Sequence, residues 1–264
     1  MYRRLTGIVL AVACTGGLAV CDQTVNPAAP PAANTAAPAA QAPTAAPTTA
    51  APSAPAAPAI AALKQKALAG DLAAQNKLGE VYGIGQGVPR NLQEAAKWFR
   101  KAAEQGDASA QLKMGVMYAG GFGVTPDIAE SLSWYKKAAA QNSTEAMIQL
   151  GNLYEHGLGV TKSGPEALSW YLKAAEKGSL DAQLKVGYIY RAGLDDVPHD
   201  YEQALKWFRK AAQKGSGEAD FNIGYMYQQG LGVAANADQA ADWYNKAVED
   251  KYPSAAVALR NLRR

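Results

Sequence analysis

Cys14, Cys21, His156 and His199 are the only thiols and imidazoles in a chain of 264 residues. A cysteine this close to the start of a chain suits one reaction above others, acceptance of a lipid after a leader is removed. The histidines lie between helical segments, with no cysteine near them and no second histidine at i+3 or i+4. A metal would therefore need ligands converging from separate parts of the chain, and both side chains read as solvated loop histidines. Glu130, Glu145 and Glu166 open helices, where the positive end of the macrodipole favours a carboxylate, so their place is structural before it is acid–base. No G-x-S-x-G, Walker loop or H-E-x-x-H occurs. The Gly-x-Gly pairs follow helices rather than strands, which removes the phosphate-cradling context and leaves helix stops. These residues predict no enzyme, no cofactor and no metal site.

The elements around the cysteines read as export machinery. Arg3 and Arg4 form a positive start, Leu5 to Val12 an apolar stretch, and small residues follow, so residues 1–21 are expected to be an export signal. Leu18-Ala19-Val20-Cys21 resembles a bacterial lipobox, with Val20 where a small residue is expected, and Cys21 is the preferred lipid acceptor. Ala11-Val12-Ala13-Cys14 is the alternative, and simple cleavage after Ala19 would release a soluble chain. Every outcome places the folded part on the periplasmic side of a bacterial envelope. From Pro27 to Ala59, 17 of 33 residues are Ala and 9 are Pro. Proline at that density blocks helix and favours extended chain, so residues 22–62 read as a tether reaching roughly 100 Å. Residues 63–264 are left as the folded domain. Residues 61–252 carry 21 basic and 22 acidic side chains, a balance that excludes a nucleic-acid footprint.

That domain repeats itself. Trp98, Trp134, Trp170, Trp207 and Trp243 recur every 36 or 37 residues, and Gly79, Gly115, Gly151, Gly187 and Gly224 each stand three residues before a Tyr. The units are 72–107, 108–143, 144–179, 180–216 and 217–252. Each reads as two helices. Helix A follows Asp71, Asp107, Ser143, Ser179 or Ser216, and helix B follows Asn91, Asp127, Ser163, Asp200 or Asn236, all good N-cap residues. Between them a Gly-x-Gly-Val loop stops helix A and buries its valine: Val88, Val124, Val160, Val197 or Val233. The fourth loop carries Asp195 in place of its second glycine and one extra residue, so a local distortion is expected there. The column of Gly79 and its equivalents should let helix A approach helix B around the large Trp. The Trp and Tyr columns read as core, because residues that repeat in every unit serve the repeat. Stacked units must cover one another's apolar faces, giving a curved all-α solenoid, with residues 253–264 as a capping helix begun at Pro253.

Ala110 to Tyr118, Gly121 to Val124 and Trp134 to Ala139 resemble the Sel1-like repeat, a relative of the tetratricopeptide repeat, and the resemblance covers about 180 residues. It implies a helical-hairpin solenoid acting as a non-enzymatic adaptor or inhibitor of another protein, often at the bacterial envelope. A periplasmic immunity protein that neutralises a delivered toxin is one form of this. One cysteine-stapled subgroup has been linked to penicillin binding, which keeps a cell-wall enzyme as the rival class. No cysteine lies beyond Cys21, so that inference does not carry over. In the related repeats helix A lines a concave groove. Two variable positions share that face: Asn76, Leu112, Ile148, Leu184 and Phe221, then Glu80, Val116, Asn152, Tyr188 and Tyr225, flanked by Lys113, Lys185 and Arg191. The stripe turns aromatic toward its C-terminal end and would suit a peptide or amphipathic helix. For the first column, packing between neighbouring helices A is an equal reading; Tyr188 and Tyr225 are the stronger groove candidates.

Overall fold

Capping chemistry sets the boundaries of the helices. The computed structural model describes residues 56–262. Cys14, Cys21, the expected leader and the tether as far as residue 55 lie outside the described residues. Twelve helices are described: α1 (Ala56–Leu68), α2 (Leu72–Ile84), α3 (Leu92–Glu104), α4 (Ala108–Gly120), α5 (Ile128–Ala140), α6 (Thr144–His156), α7 (Gly164–Glu176), α8 (Leu180–Ala192), α9 (Tyr201–Ala212), α10 (Gly217–Gln229), α11 (Ala237–Glu249) and α12 (Ala255–Leu262). At the start of each of α2 to α11, the expected residue accepts a backbone N–H from three residues on through its side-chain oxygen. The hairpins share a second closure. The N-cap amide of each helix B donates to the helix-A tyrosine carbonyl, as in Asp127 to Tyr118 at 3.0 Å and Asn236 to Tyr227 at 3.0 Å.

The fourth hairpin keeps that bond, Asp200 N–H to Tyr190 C=O at 2.6 Å, which explains why its insertion stays local. Leu194 and Val197 pair backbone to backbone across the extra residue, and Asp195 takes φ +46°, the left-handed region that glycine fills elsewhere. Val197 is buried, whereas Val88, Val124, Val160 and Val233 are only half-buried, so the expected burial of the loop valine is met in that one loop.

Helix α1 covers the open face of the first unit. Residues 56–62, expected as the end of the tether, are its first turns. Pro58 falls where a helix has no N–H to lose, and beyond it Ile60, Leu63 and Ala67 recur at helical spacing and pack with Leu78 and Trp98. At the other end α12 packs on α11 as the expected cap, but it starts at Ala255, so Pro253 lies in the turn before it rather than in its first turn.

The packing departs from expectation in one respect. The ring seated on each helix-A glycine is the residue after the Trp. A Cβ on Gly79, Gly115, Gly151, Gly187 or Gly224 would lie 2.4–2.7 Å from the ring of Phe99, Tyr135, Tyr171, Phe208 or Tyr244. Of these rings Tyr135, Tyr171, Phe208 and Tyr244 are among the largest fully buried side chains. Trp98, Trp134 and Trp207 are buried, but Trp170 and Trp243 are only half-buried, and of the tyrosine column only Tyr118 is buried while Tyr82, Tyr154, Tyr190 and Tyr227 are half-buried, which corrects the reading of both columns as core. Each tryptophan carries a lysine three residues on, one helical turn away, with Nζ 3.9–4.6 Å from the ring centroid: Lys101, Lys137, Lys173, Lys210 and Lys246. The lysine of the Lys-Ala-Ala ending thus shields the outer Trp, while the alanine after it packs inward.

Every helix B, and α1, ends in one left-handed residue: Gly70, Gly106, Asn142, Gly178, Gly215 and Lys251. Lysine is the costly member, because its Cβ crowds the carbonyl in that conformation. Lys251→Gly is expected to stabilise the chain by about 1 kcal/mol, read as a higher denaturation midpoint. An unchanged or lower midpoint would mean that the Lys251 side chain contributes contacts that offset its strain.

Candidate functional site

Helices α2, α4, α6, α8 and α10 form the face expected to bind a partner, and successive members are tied across it. Lys113 on α4 reaches Glu80 on α2 at 3.0 Å and lies 4.7 Å over the Phe99 ring. Lys185 on α8 reaches Glu155 on α6 at 3.1 Å and lies over Tyr171. Burial alone would raise the Glu155 carboxyl, but the Tyr171 hydroxyl and Lys185 outweigh it and hold it below the usual range. The same hydroxyl is 2.6 Å from Glu155 Oε2 and 2.7 Å from Asn152 Oδ1; burial and Glu155 raise its own pKa well above that of free tyrosine.

The junction of the last two units is polar and continuous. Arg191 Nη1 donates to Asn222 Oδ1 at 2.8 Å, Asn222 Nδ2 donates to the Tyr188 hydroxyl at 2.9 Å, and that hydroxyl donates to Glu218. The Tyr188 ring also packs edge-on against Phe208 at 5.4 Å. Burial, with Glu218 beside it, raises the Tyr188 pKa far above its ordinary value. Arg191 stacks over both Tyr188 and Tyr225, at 5.2 and 5.6 Å.

The candidate residues therefore separate into three roles. Leu112, Val116 and Ile148 are half-buried against the central core, and Leu184 packs against the cluster around Phe208 and Ile223. Phe221 sits between Tyr244 and Tyr252, at 5.4 and 5.1 Å. The first column thus packs between units. Tyr188 and Arg191 are held in hydrogen bonds across the α8–α10 junction, Asn152 is bonded to Tyr171 within its own unit, and the expected rim cations Lys113 and Lys185 are likewise engaged. Tyr225 alone stays open, 37% exposed, with the Arg191 guanidinium beside its ring.

Glu218 and Asn222, which complete this junction, were not among the candidates. The available signal was a break in column: Asn222 stands where earlier units carry Lys77, Lys113, Gln149 and Lys185. His156, expected in a loop, is the last residue of α6, and His199 lies in a loop against Tyr201; both are exposed. Among the described residues no three His, Cys, Asp or Glu side chains converge to hold a metal, and no helix is long and apolar enough to cross a membrane.

Comparison with known proteins agrees with this architecture. The Sel1 repeat model matches residues 72–107, 108–143, 144–179, 180–216 and 217–252. A Sel1 repeat protein from Oxalobacter formigenes is 36% identical, with 73% of this chain and 79% of that chain covered at a TM-score of 0.66. A protective antigen from uropathogenic Escherichia coli, described as displaying an SLR fold, is 33% identical at a TM-score of 0.51; 76% of this chain is covered but 50% of that one, so this chain spans half its length. An immunity protein from Pseudomonas aeruginosa aligns at 19% identity over 72% of this chain and 73% of that chain, with a TM-score of 0.46. A search of curated proteins gives no match. With one repeat model matching five consecutive tryptophan-bearing units from residue 72 to residue 252, the chain belongs to the Sel1 repeat family.

Proposed function

We propose that this protein binds another protein on its helix-A face, as an adaptor or inhibitor without catalysis of its own, and that it works from the periplasmic side of a bacterial envelope. The observation that carries the binding reading is Tyr225. It occupies a column otherwise filled by Glu80, Val116, Asn152 and Tyr188, and it is the aromatic member left exposed beside a cation. An exposed tyrosine with an arginine pre-set by neighbouring hydrogen bonds is the chemistry of a protein-interface anchor: large amphipathic area with little side-chain entropy left to lose. The Arg3–Arg4 leader and Cys21 support export and lipid attachment.

The test is affinity capture from envelope extract with the chain lacking residues 1–21 as bait, beside Tyr225→Ala. Helix content and melting should stay unchanged in the variant, while capture of the partner falls at least roughly tenfold, the scale of an aromatic anchor. Equal capture by both baits would remove Tyr225 from the interface. Tyr188→Ala is unsuitable as the probe, because it would break the Asn222 and Glu218 bonds and loosen the α8–α10 junction.

A further inference from the structure

The fifth unit closes with two carboxyls where the first, second and fourth units use amides. In the first unit Gln75 Nε2 donates to the Ala67 carbonyl at 3.0 Å, and Gln105, the C-cap of α3, donates to Gln75 Oε1 at 2.7 Å. The second unit repeats this with Gln111, Ala103 and Gln141, and in the fourth Gln183 again donates to Ala175. In these three units the position on helix A is a neutral amide facing the carbonyl eight residues back; in the third it is the buried Met147, with Lys177 at the cap, so every earlier unit fills the position with an uncharged side chain. In the fifth unit these positions are Asp220 and Asp250, and the corresponding carbonyl is that of Ala212. Asp220 is 4% exposed, and an ionised carboxylate there has nothing to donate. We propose that Asp220 and Asp250 form a proton-dependent latch, which holds the fifth unit closed in mildly acid surroundings and loosens it as the pair ionises.

The latch opens onto solvent through a cleft of about 410 Å³ between α9 and α11, lined by Arg209, Gln213, Asp220, Trp243, Lys246 and Asp250 among others. The charged groups facing Asp220 are Arg209 from α9 and Lys246, Glu249 and Asp250 from α11. Lys246, with Nζ 4.0 Å from the Trp243 ring, partly offsets the burial of Asp220 by its charge, Arg209 Nη2 donates to the Tyr227 hydroxyl at 2.9 Å, and neither forms a salt bridge to Asp220 among the described residues. On α10 itself Glu218 is engaged with Tyr188. Burial, and then the neighbouring Asp250, raises Asp220 from 3.8 to about 6. A carboxyl raised in the folded state stabilises the fold while protonated. That contribution is complete below its unfolded value near 3.8 and is lost as pH climbs through about 6.

Amide hydrogen exchange of the full chain, corrected for intrinsic rates, tests this independently of the groove reading. Protection of α10 relative to α6 should fall roughly tenfold or more between pH 5 and pH 7.5 in the wild-type chain. In Asp220→Asn, which supplies a permanent donor, protection should stay within roughly twofold over that range. Asp250→Asn, at the solvent-facing partner, should flatten the response in the same way. A wild-type protein with no difference between the two pH values, or an Asp250→Asn variant with the full wild-type response, would overturn the latch. Loss of α10 protection at both pH values in Asp220→Asn would also overturn it, since the carboxylate would then be required as a charge.

Discussion

Tyr171→Ala is expected to lower stability by about 3–5 kcal/mol, and Trp170→Ala, the neighbouring substitution of a larger side chain, by about 1–2 kcal/mol. The order follows from where each ring lies. Tyr171 is fully buried, seated on Gly151, with its hydroxyl between Asn152 and Glu155 and Lys185 above its face. Its removal leaves a cavity between α6 and α7 and takes a hydrogen-bond partner from two half-buried groups, so the loss spreads into the neighbouring unit through Lys185. Trp170 is half-exposed, and Lys173 covers its outer face; truncation there mainly returns area already in partial contact with water. Urea titrations followed by helical circular dichroism give the comparison. Midpoints should be compared directly, because a repeat array need not unfold in one step. A larger loss for Trp170→Ala would sink the assignment of the core to the second aromatic of each pair. Tyr171→Phe keeps the ring and should cost only about 1 kcal/mol, separating hydroxyl from volume.

The second large effect belongs to a methyl group. Gly151→Ala should destabilise by about 1–3 kcal/mol, although alanine is the better helix former by about 1 kcal/mol. A Cβ at Gly151 would stand 2.4 Å from the Tyr171 ring, which is wedged between two helices and has nowhere to retreat. Gly83→Ala is the matched control: its Cβ would meet Ala95 at 3.8 Å, an ordinary contact, so the propensity gain should survive and the variant be neutral to slightly stabilised. Combining Gly151→Ala with Tyr171→Ala should cost less than the two separately, since one removes what the other strikes. Strict additivity would place the clash elsewhere.

Much of this architecture was legible because it is written in local chemistry. Ten N-caps are short polar residues whose side chains satisfy the first turn, and left-handed helix ends select glycine, so the hairpin boundaries follow from composition over a few residues. The extra residue near Asp195 announced a distorted loop for the same reason, and the retained Asp200–Tyr190 bond kept the distortion small. The candidate site was less legible. Tyr188 and Tyr225 share one repeat position and one residue type, yet the first is bound into the junction and the second is open. What separates them are Asn222 and Glu218, about thirty residues further on from Tyr188, and the unit that would stack beyond Tyr225 is replaced by a short capping helix.

The sequence by itself determined the all-α repeat, its 36- or 37-residue period and the ends of its helices, since capping, glycine stops and helical periodicity act within one turn or one hairpin. Only the tertiary structure decided which aromatic of each Trp-Tyr or Trp-Phe pair fills the core, which cations are tied between units, and that two carboxyls meet in the fifth. Adjacent positions on a helix lie about 100° apart, so periodicity marks an apolar arc without saying which of its residues meets a glycine across the hairpin and which meets a lysine and water. That choice is made by the neighbouring helices, and in a solenoid those lie one unit away along the chain.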